Sequence, residues 1–422
     1  MKTVDQLSVL VRDHGQFVSV AQRLARDVTK VYYCANSPRE FQGMKDHLVG
    51  YGLEGIELVD SPFDPEVFDQ IDLFVFPDLL FPAEQVHLEK LGKKVWGARY
   101  GELLEYDRVL LKQKIEEVGL PSSDYEVVKG TDNLRAFLKE NPDVFVKIVR
   151  YRGDWESTHA DGLDDMQSEI IRFEHEVGDL RHLAEFVVET PTHRKDEEVV
   201  EIGYDGWTVD GKFPASSLSG IEIKDSGYIG SIKPYASLPK PVKEVNDALA
   251  PLLRESGYKG PMSTEVRVGK DGKPYLIDLT CRLPSPPQQL QQEMYANYTQ
   301  TIWDAANGII TDPVPVAKYG ALLILKVDGG ETSDTIEFPK EIERQVKLNN
   351  AVFIKGKYRI VPQPVKLTQI GAVIGWGDTL EAAIEMCKEA AEQVKGAKTE
   401  PRDLDGAEEE LEKSKKLGYP IL

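Results

Sequence analysis

The sequence predicts a multidomain α/β and α+β protein, on three observations. Its 422 residues exceed what one hydrophobic core organises, so roughly two to four domains are expected. Strand and helix signals alternate over the N-terminal region, the pattern of an open, mostly parallel sheet. Further along, hairpin signals replace the alternation, above all in GPMSTEVRVGKDGKPYLIDLTCRLPSPP, residues 260–287.

In chain order, residues 7–11, 31–35, 56–59 and 71–76 are short β-prone runs, and 94–96 is a further strand. Residues 18–27 and 38–49 read as helices between them. No G-x-G-x-x-G follows the first strand, where the chain reads VRDHGQF, so a dinucleotide fingerprint is absent. The organisation changes at Gly101. Residues 102–118 read as one charged amphipathic helix ending at Gly119-Leu120-Pro121. Residues 125–128 read as a strand, 132–140 as a helix, 144–149 and 184–190 as strands. Residues 199–213 are a hairpin candidate with two possible Asp-Gly turns, at 205–206 and 210–211, which leaves its register open. Residues 284–287 are a rigid proline-rich run that reads either as shaping an acceptor pocket or as a connector into a helix over 288–307. Strands over 317–327, 351–361 and 367–375 and a helix over 378–395 suit a small α/β C-terminal unit. The final PRDLDGAEEELEKSKKLGYPIL has a helix-compatible centre in an acidic, flexible context and carries no assigned chemistry.

These signals divide the chain into an N-terminal α/β domain (1–100), a central domain (101–315) and a C-terminal domain (316–398), with an acidic tail (399–422). The 51 Lys and Arg against 71 Asp and Glu give a net charge of −20. That argues against a general nucleic-acid surface and against anionic membranes. It leaves room for a phosphorylated small molecule in a locally basic cleft. Cys34, Cys281 and Cys387 lack metal-ligand spacing and cannot all pair, so reduced thiols in a cytoplasm are expected. The opening MKTVDQLSVLVRDHG has no signal-peptide pattern, and no apolar run approaches membrane-spanning length. A soluble, cytoplasmic protein is the expectation.

The hairpin carries the clearest chemistry. With Asp271-Gly272 as a two-residue type I′ turn, Glu265 sits directly opposite Asp278, and Thr280 and Arg282 share their face. Two facing carboxylates destabilise a sheet. A divalent cation between them reverses the sign. The hairpin therefore reads either as a Mg²⁺ platform with Arg282 beside it or as a solvated polar ribbon. Lys147 lies inside the apolar run VFVKIV and must find a partner or reach water. A phosphate-facing role is the favoured reading. The polar turn YRGDWEST follows at 151–158 and is of a kind that folds over phosphates, though most such turns are plain loops. His159 reads as a surface histidine, and Trp207 and Trp303 as packing residues.

The order of these elements resembles the ATP-grasp ligases, and among them phosphoribosylamine–glycine ligase. Four blocks carry the resemblance over about residues 70–396. The first runs from DLFVFPDLL through KKVWGARYGELLEYDRVLLKQKIEEVGLP; the second is VFVKIV. The third is the hairpin, similar to the family's "E … E-x-N-x-R" metal strands. The fourth is IGAVIGWGDTLEAAIEMCKEAAEQV. The resemblance implies an ATP-grasp fold with a preceding α/β domain, a mobile lid over about 125–205 and a small C-terminal domain.

Residue by residue, it implies that Arg108 and Lys147 contact the ATP phosphates. Gly153 and Glu156 belong to the phosphate loop, Glu189 lies near the adenine hinge, and Glu201 near the ribose. Glu265, Asp278 and Thr280 would hold Mg²⁺, or Mn²⁺, with Thr280 replacing the usual asparagine. Arg282 would steady developing charge on an acyl phosphate. The sequence departs from the family in its glycine-poor loop RGDWEST, in lacking the N-terminal glycine-rich signature, and in having LPSPPQQL after the metal strand.

The implied reaction joins a small-molecule carboxylate, such as an amino acid, to an amine, giving amide, ADP and phosphate in a monomer or homodimer. Phosphoribosylamine–glycine ligation itself, a carboxylation using the same acyl phosphate, and a non-catalytic ATP-binding module stay open as alternatives.

Overall fold

The computed structural model describes residues 2–35, 49–150, 157–223, 226–327, 335–361, 369–399 and 406–422. Four sheets organise them. The first is a five-stranded parallel sheet in the order Ile56–Leu58, Lys30–Cys34, Ser8–Arg12, Leu73–Val75, Lys94–Trp96. All five strands expected from the sequence are present and parallel. The expected helix at 18–27 forms over Val18–Leu24. Most of the one at 38–49 lies outside the described residues.

The expected helix over 102–118 is split. Asp107 takes an extended backbone, φ −113° and ψ 98°, and its carboxylate accepts the Leu110 N–H at 3.0 Å. An aspartate that satisfies an orphan N–H starts a helix rather than continuing one. The segment therefore divides into Leu103–Tyr106 and Arg108–Glu117, which places Arg108 in a first turn.

Residues 125–189 carry a four-stranded antiparallel sheet, ordered Tyr125–Lys129, Glu185–Glu189, Val144–Ile148, Thr158–Ala160. Thr131–Glu140 and Leu163–Val177 contribute Leu134, Leu138, Met166, Ile170 and Phe173 to the core on one face. Val146 and Ile148 point into that core, so strand alternation turns Lys147 to the opposite face.

The nine-stranded central sheet is antiparallel. Its path runs Tyr275–Thr280, Lys259–Gly269, Val199–Val209, Ser216–Ile223, Gly227–Pro234, Tyr319–Lys326, Gln369–Gly377, Val346–Leu348, with Lys398–Thr399 beside Tyr319–Lys326. Strands from beyond residue 316 thus extend the sheet that carries the hairpin. Residues 351–361 form a hairpin, Ala351–Ile354 with Lys357–Ile360, turned by Lys355 and Gly356 at φ +51° and +79°. The long helix expected at 288–307 is two helices, Gln288–Met294 and Tyr298–Ala306. Trp207 and Trp303 are buried packing residues, as expected, and all three cysteines are buried with no disulfide among them.

Of the two Asp-Gly candidates, 210–211 is the turn. Asp210 and Gly211 take φ +51° and +75° between Val209 and Lys212. Asp205-Gly206 lies inside the Val199–Val209 strand, whose main partner is Lys259–Gly269. Asp205 is therefore a strand residue.

Helix Lys240–Glu255 covers one face of this part of the sheet, with Val242, Val245, Leu249 and Leu253 packed on Val200, Ile202, Met262, Val266 and Val268. No helix of the described residues is long and apolar enough to cross a membrane. Alternation sends Glu201, Asp205, Ser263, Glu265 and Arg267 to the other face, and the site is built there.

Candidate functional site

Glu265 pairs with Asp278, as the sequence predicts, but by a different route. Asp271-Gly272 is not a two-residue type I′ turn: among the described residues of the loop only Gly272 takes positive φ, +73°. Arg267 pairs with Tyr275 and Val266 with Leu276, one step out of the predicted register. A bulge between Glu265 and Val266 leaves Ile277 unpaired and restores the register at Asp278. The bulge also resets the alternation, so Leu276 and Leu279 both enter the core while Asp278 and Thr280 face the cleft.

A cavity of about 760 Å³ lies on this face. Glu201, Glu265, Asp278, Thr280 and Arg282 all line it, together with Asp205, Glu222, Arg267 and Lys413. Burial pushes the Glu265 carboxyl well above its usual range, with Glu201, Asp278 and Glu222 adding repulsion. Glu201 moves the other way. Burial opposes its charge, but a hydrogen bond shared with Glu265 and the neighbouring Arg267 guanidinium lower it. Arg267 Nε donates to Glu201 at 2.8 Å. Arg282 is fixed by Glu105, whose carboxylate accepts Arg282 Nε at 3.0 Å and the Cys281 N–H at 2.5 Å.

A second, smaller cavity of about 100 Å³ adjoins the first, with Arg267 on both walls. Lys147, Glu189, Lys112 and Ser123 line it. Lys147 and Lys112 both form ion pairs with Glu189, and Ser123 Oγ donates to Glu189 at 2.9 Å. Burial opposes the Glu189 charge, but the two ammonium groups outweigh it and hold the carboxyl at about 2. Burial lowers Lys147, against the pull of Glu189. Arg108 heads the helix that carries Lys112, close enough to act electrostatically on Lys147. Gly153 and Glu156 lie outside the described residues.

The structure therefore gathers the predicted residues into two neighbouring groups, one acidic around Glu265 and Asp278, one basic around Lys147. Several contributors were not anticipated. Lys112 lies one helical turn beyond Arg108, a spacing visible in the sequence. Asp205 was masked by its resemblance to a turn. Glu222 gave no local signal. Helix Gly406–Lys416, in the segment expected to be a flexible acidic tail, packs with Ala407 and Ser414 buried and brings Lys413 to the cavity wall.

Elsewhere, His159, Asp143 and Asp161 converge within metal-binding distance, but a cation already serves them: Lys195 Nζ lies 2.5 Å from Asp161 and 3.4 Å from Asp143.

Neither a protein-family model nor a curated protein matches the sequence. Solved structures do match. Phosphoribosylamine–glycine ligase from Thermotoga maritima superposes with a TM-score of 0.68 at 17% identity, over 93% of this chain and 99% of that one. The chain has the ATP-grasp fold. The biotin carboxylase domain of Hydrogenobacter thermophilus 2-oxoglutarate carboxylase, solved with MgADP and bicarbonate, matches at 0.66 and 14% identity, over 97% and 98%. L-amino acid ligase from Bacillus licheniformis matches at 0.60 and 18%, over 93% and 99%. At these identities the likeness establishes the fold.

Proposed function

We propose that this protein is an ATP- and Mg²⁺-dependent carboxylate–amine ligase that forms an amide through an acyl phosphate and releases ADP and phosphate. The observation that carries the reading is the pairing of Glu265 with Asp278 on the cleft face, beside Arg282 and next to the lysine-lined cavity.

The acidic group fits a divalent metal. A buried carboxyl repelled by three others, Glu201, Asp278 and Glu222, lacks sufficient local positive charge, and its donors are hard oxygens. Glu265 and Asp278 would hold Mg²⁺, with Thr280 as a weaker oxygen donor. The metal would neutralise phosphate charge during transfer. Lys147, Lys112 and Arg108 supply fixed positive charge for the nucleotide phosphates from the adjoining wall. Arg282, held in place by Glu105, stabilises charge that grows on the transferring phosphoryl group. The 125–189 sheet, whose Lys147 and Glu189 line the adjoining cavity, would close over the cleft and exclude water, which an acyl phosphate requires.

The N-terminal domain bears on the amine. Its strand order switches direction between Ser8–Arg12 and Leu73–Val75, where ligands of open α/β sheets bind. There Asp13 Oδ1 accepts the Gly15 N–H at 3.0 Å and Oδ2 the Phe17 N–H at 2.6 Å. The Gly15 and Phe17 N–H groups, two donors of this turn, are thus already satisfied by a carboxylate. This favours an amine without a phosphate at that point over phosphoribosylamine.

Production of ADP from Mg-ATP that requires both an acid and an amine tests the reading. ATP turnover indifferent to both would reject it.

A further inference from the structure

Asp205 stands on the cleft wall and is not used in the scheme above. In the ladder, Gly203, Glu265 and Asp278 form one row, and Asp205, Ser263 and Thr280 form the next. The rows are two residues apart, about 7 Å at about 3.3 Å per residue. Asp205 therefore sits beyond the carboxylate pair, on the same face of the same cavity.

Its carboxylate is buried yet has no cationic partner among the described residues. Tyr228 donates to Oδ2 at 2.7 Å and Ser263 to Oδ1 at 2.7 Å. Tyr204 and Tyr295 lie near enough to interact with it electrostatically, and Gln291 Nε2 donates to its backbone carbonyl at 3.1 Å. The charged groups sharing its cavity are Glu201, Glu222, Glu265, Asp278, Arg267, Arg282 and Lys413, with Glu409 and Glu410 at the rim. Burial raises the carboxyl to about 6, against the two hydroxyl donors. An uncompensated buried carboxylate is costly. Two hydroxyls orient this one, and the cleft is open beside it, so a positive group arriving in the cleft completes it.

We propose that Asp205 receives the acceptor amine: its carboxylate pairs with the incoming ammonium and takes the proton that nitrogen loses before attack. The inference rests on the ligase reading and adds to it that the acceptor arrives as a cation. In the step, R–NH₃⁺ gives one proton to Asp205 Oδ. The freed nitrogen lone pair forms the C–N bond at the acyl carbon. The C–O bond to phosphate breaks, and the phosphate leaves with that electron pair. The second proton lost from nitrogen ends on the departing phosphate, and Asp205 returns its own to solvent.

Hydroxylamine and ammonium separate this role from the rest of the site. Hydroxylamine is uncharged near neutrality and needs no base to attack an acyl phosphate; ammonium needs one. Wild-type protein, Mg-ATP and a pool of the common amino acids as carboxylates are incubated with either nucleophile at pH 7.5, and hydroxamate and amide are measured.

For Asp205→Asn the expected result is a fall of about 100-fold in ammonium-dependent product, the scale of a lost general base, with hydroxamate formation persisting. Equal losses with both nucleophiles, no loss with ammonium, or a wild-type protein that uses hydroxylamine but not ammonium would each overturn the proposal. Wild-type protein that makes no hydroxamate from any carboxylate would instead overturn the ligase reading and this inference with it. Tyr228→Phe provides a second test should Asp205→Asn fail to fold. Removing that donor raises the Asp205 carboxyl, so the acid limb of the ammonium-dependent rate moves to higher pH; an unmoved limb counts against the role.

Discussion

Lys147 and Glu189 form a buried ion pair, and Lys112 approaches the same carboxylate from the neighbouring helix. The pair explains how a lysine survives inside VFVKIV: alternation turns it from the hydrophobic core on one face of its sheet, and a strand partner supplies its counter-charge. Its net worth is smaller than the Glu189 shift alone implies, because burial disfavours the Lys147 charge in the same place. Replacing Lys147 with Ala is expected to weaken Mg-ATP binding by about 10- to 100-fold, the equivalent of about 1.5–3 kcal/mol for a charged hydrogen bond. Calorimetric titration measures this, and unchanged affinity would remove Lys147 from the nucleotide site.

The same pair has an acid signature. The Glu189 carboxyl is depressed from 4.5 to about 2 in the folded protein. The unfolded chain therefore binds more protons between those values. The stabilisation is complete above about pH 4.5 and is lost as pH falls towards 2. Glu174 and Glu293 are depressed to about 2 as well, so acid unfolding is shared among them. Glu189→Gln should make stability less steep over this window in denaturant titrations, and an unaltered slope would contradict the assignment.

Glu265 has the opposite sign. Its carboxyl is raised above 4.5, so the metal-free folded state binds the extra proton and loses stability as pH rises from 4.5 through the folded value. At pH 7.5 Glu265→Gln is expected to melt above wild type without metal, because the fold no longer holds a carboxyl whose ionisation it disfavours, and to gain nothing from added Mg²⁺. Wild type should gain with Mg²⁺. Scanning calorimetry in the two conditions checks both, and a Mg²⁺ response in the variant equal to wild type would remove Glu265 from the metal.

Much of the fold was legible in the sequence because its signals are local. The five parallel strands each appear as short β-prone runs, and Asp210-Gly211, one of two open turn candidates, takes positive φ; residues 351–361, read as one strand, instead turn back at Lys355-Gly356. The Glu265–Asp278 pairing was legible only by compensation: a loop one residue longer than predicted is offset by a bulge at Ile277. Other features depend on tertiary partners. Asp205-Gly206 has the same letters as a turn, and only the Lys259–Gly269 strand makes it part of a sheet. Asp107 stops a helix that composition alone continues. Helix Gly406–Lys416 reads as solvated charge until the cavity wall it covers is known.

That helix yields another prediction. Ala407, Ser414 and Ile421 are buried, and Lys413 lines the cavity beside Glu201. Truncation before Gly406 should cost about 2–4 kcal/mol, mainly from exposing Ile421 and the surface it covers. The milder Lys413→Ala should leave stability close to wild type and alter Mg-ATP affinity. Urea unfolding and nucleotide titration separate the two effects; a truncation as stable as the full chain would mean that the helix does not pack on the site.

The most direct test of the central claim is ADP release from Mg-ATP by the purified protein, measured with an acid alone, an amine alone and both together, alongside Asp278→Asn. The account predicts release that needs both partners and Mg²⁺ and is abolished in a variant that remains folded. Release independent of the partners, or full activity in Asp278→Asn, would contradict it.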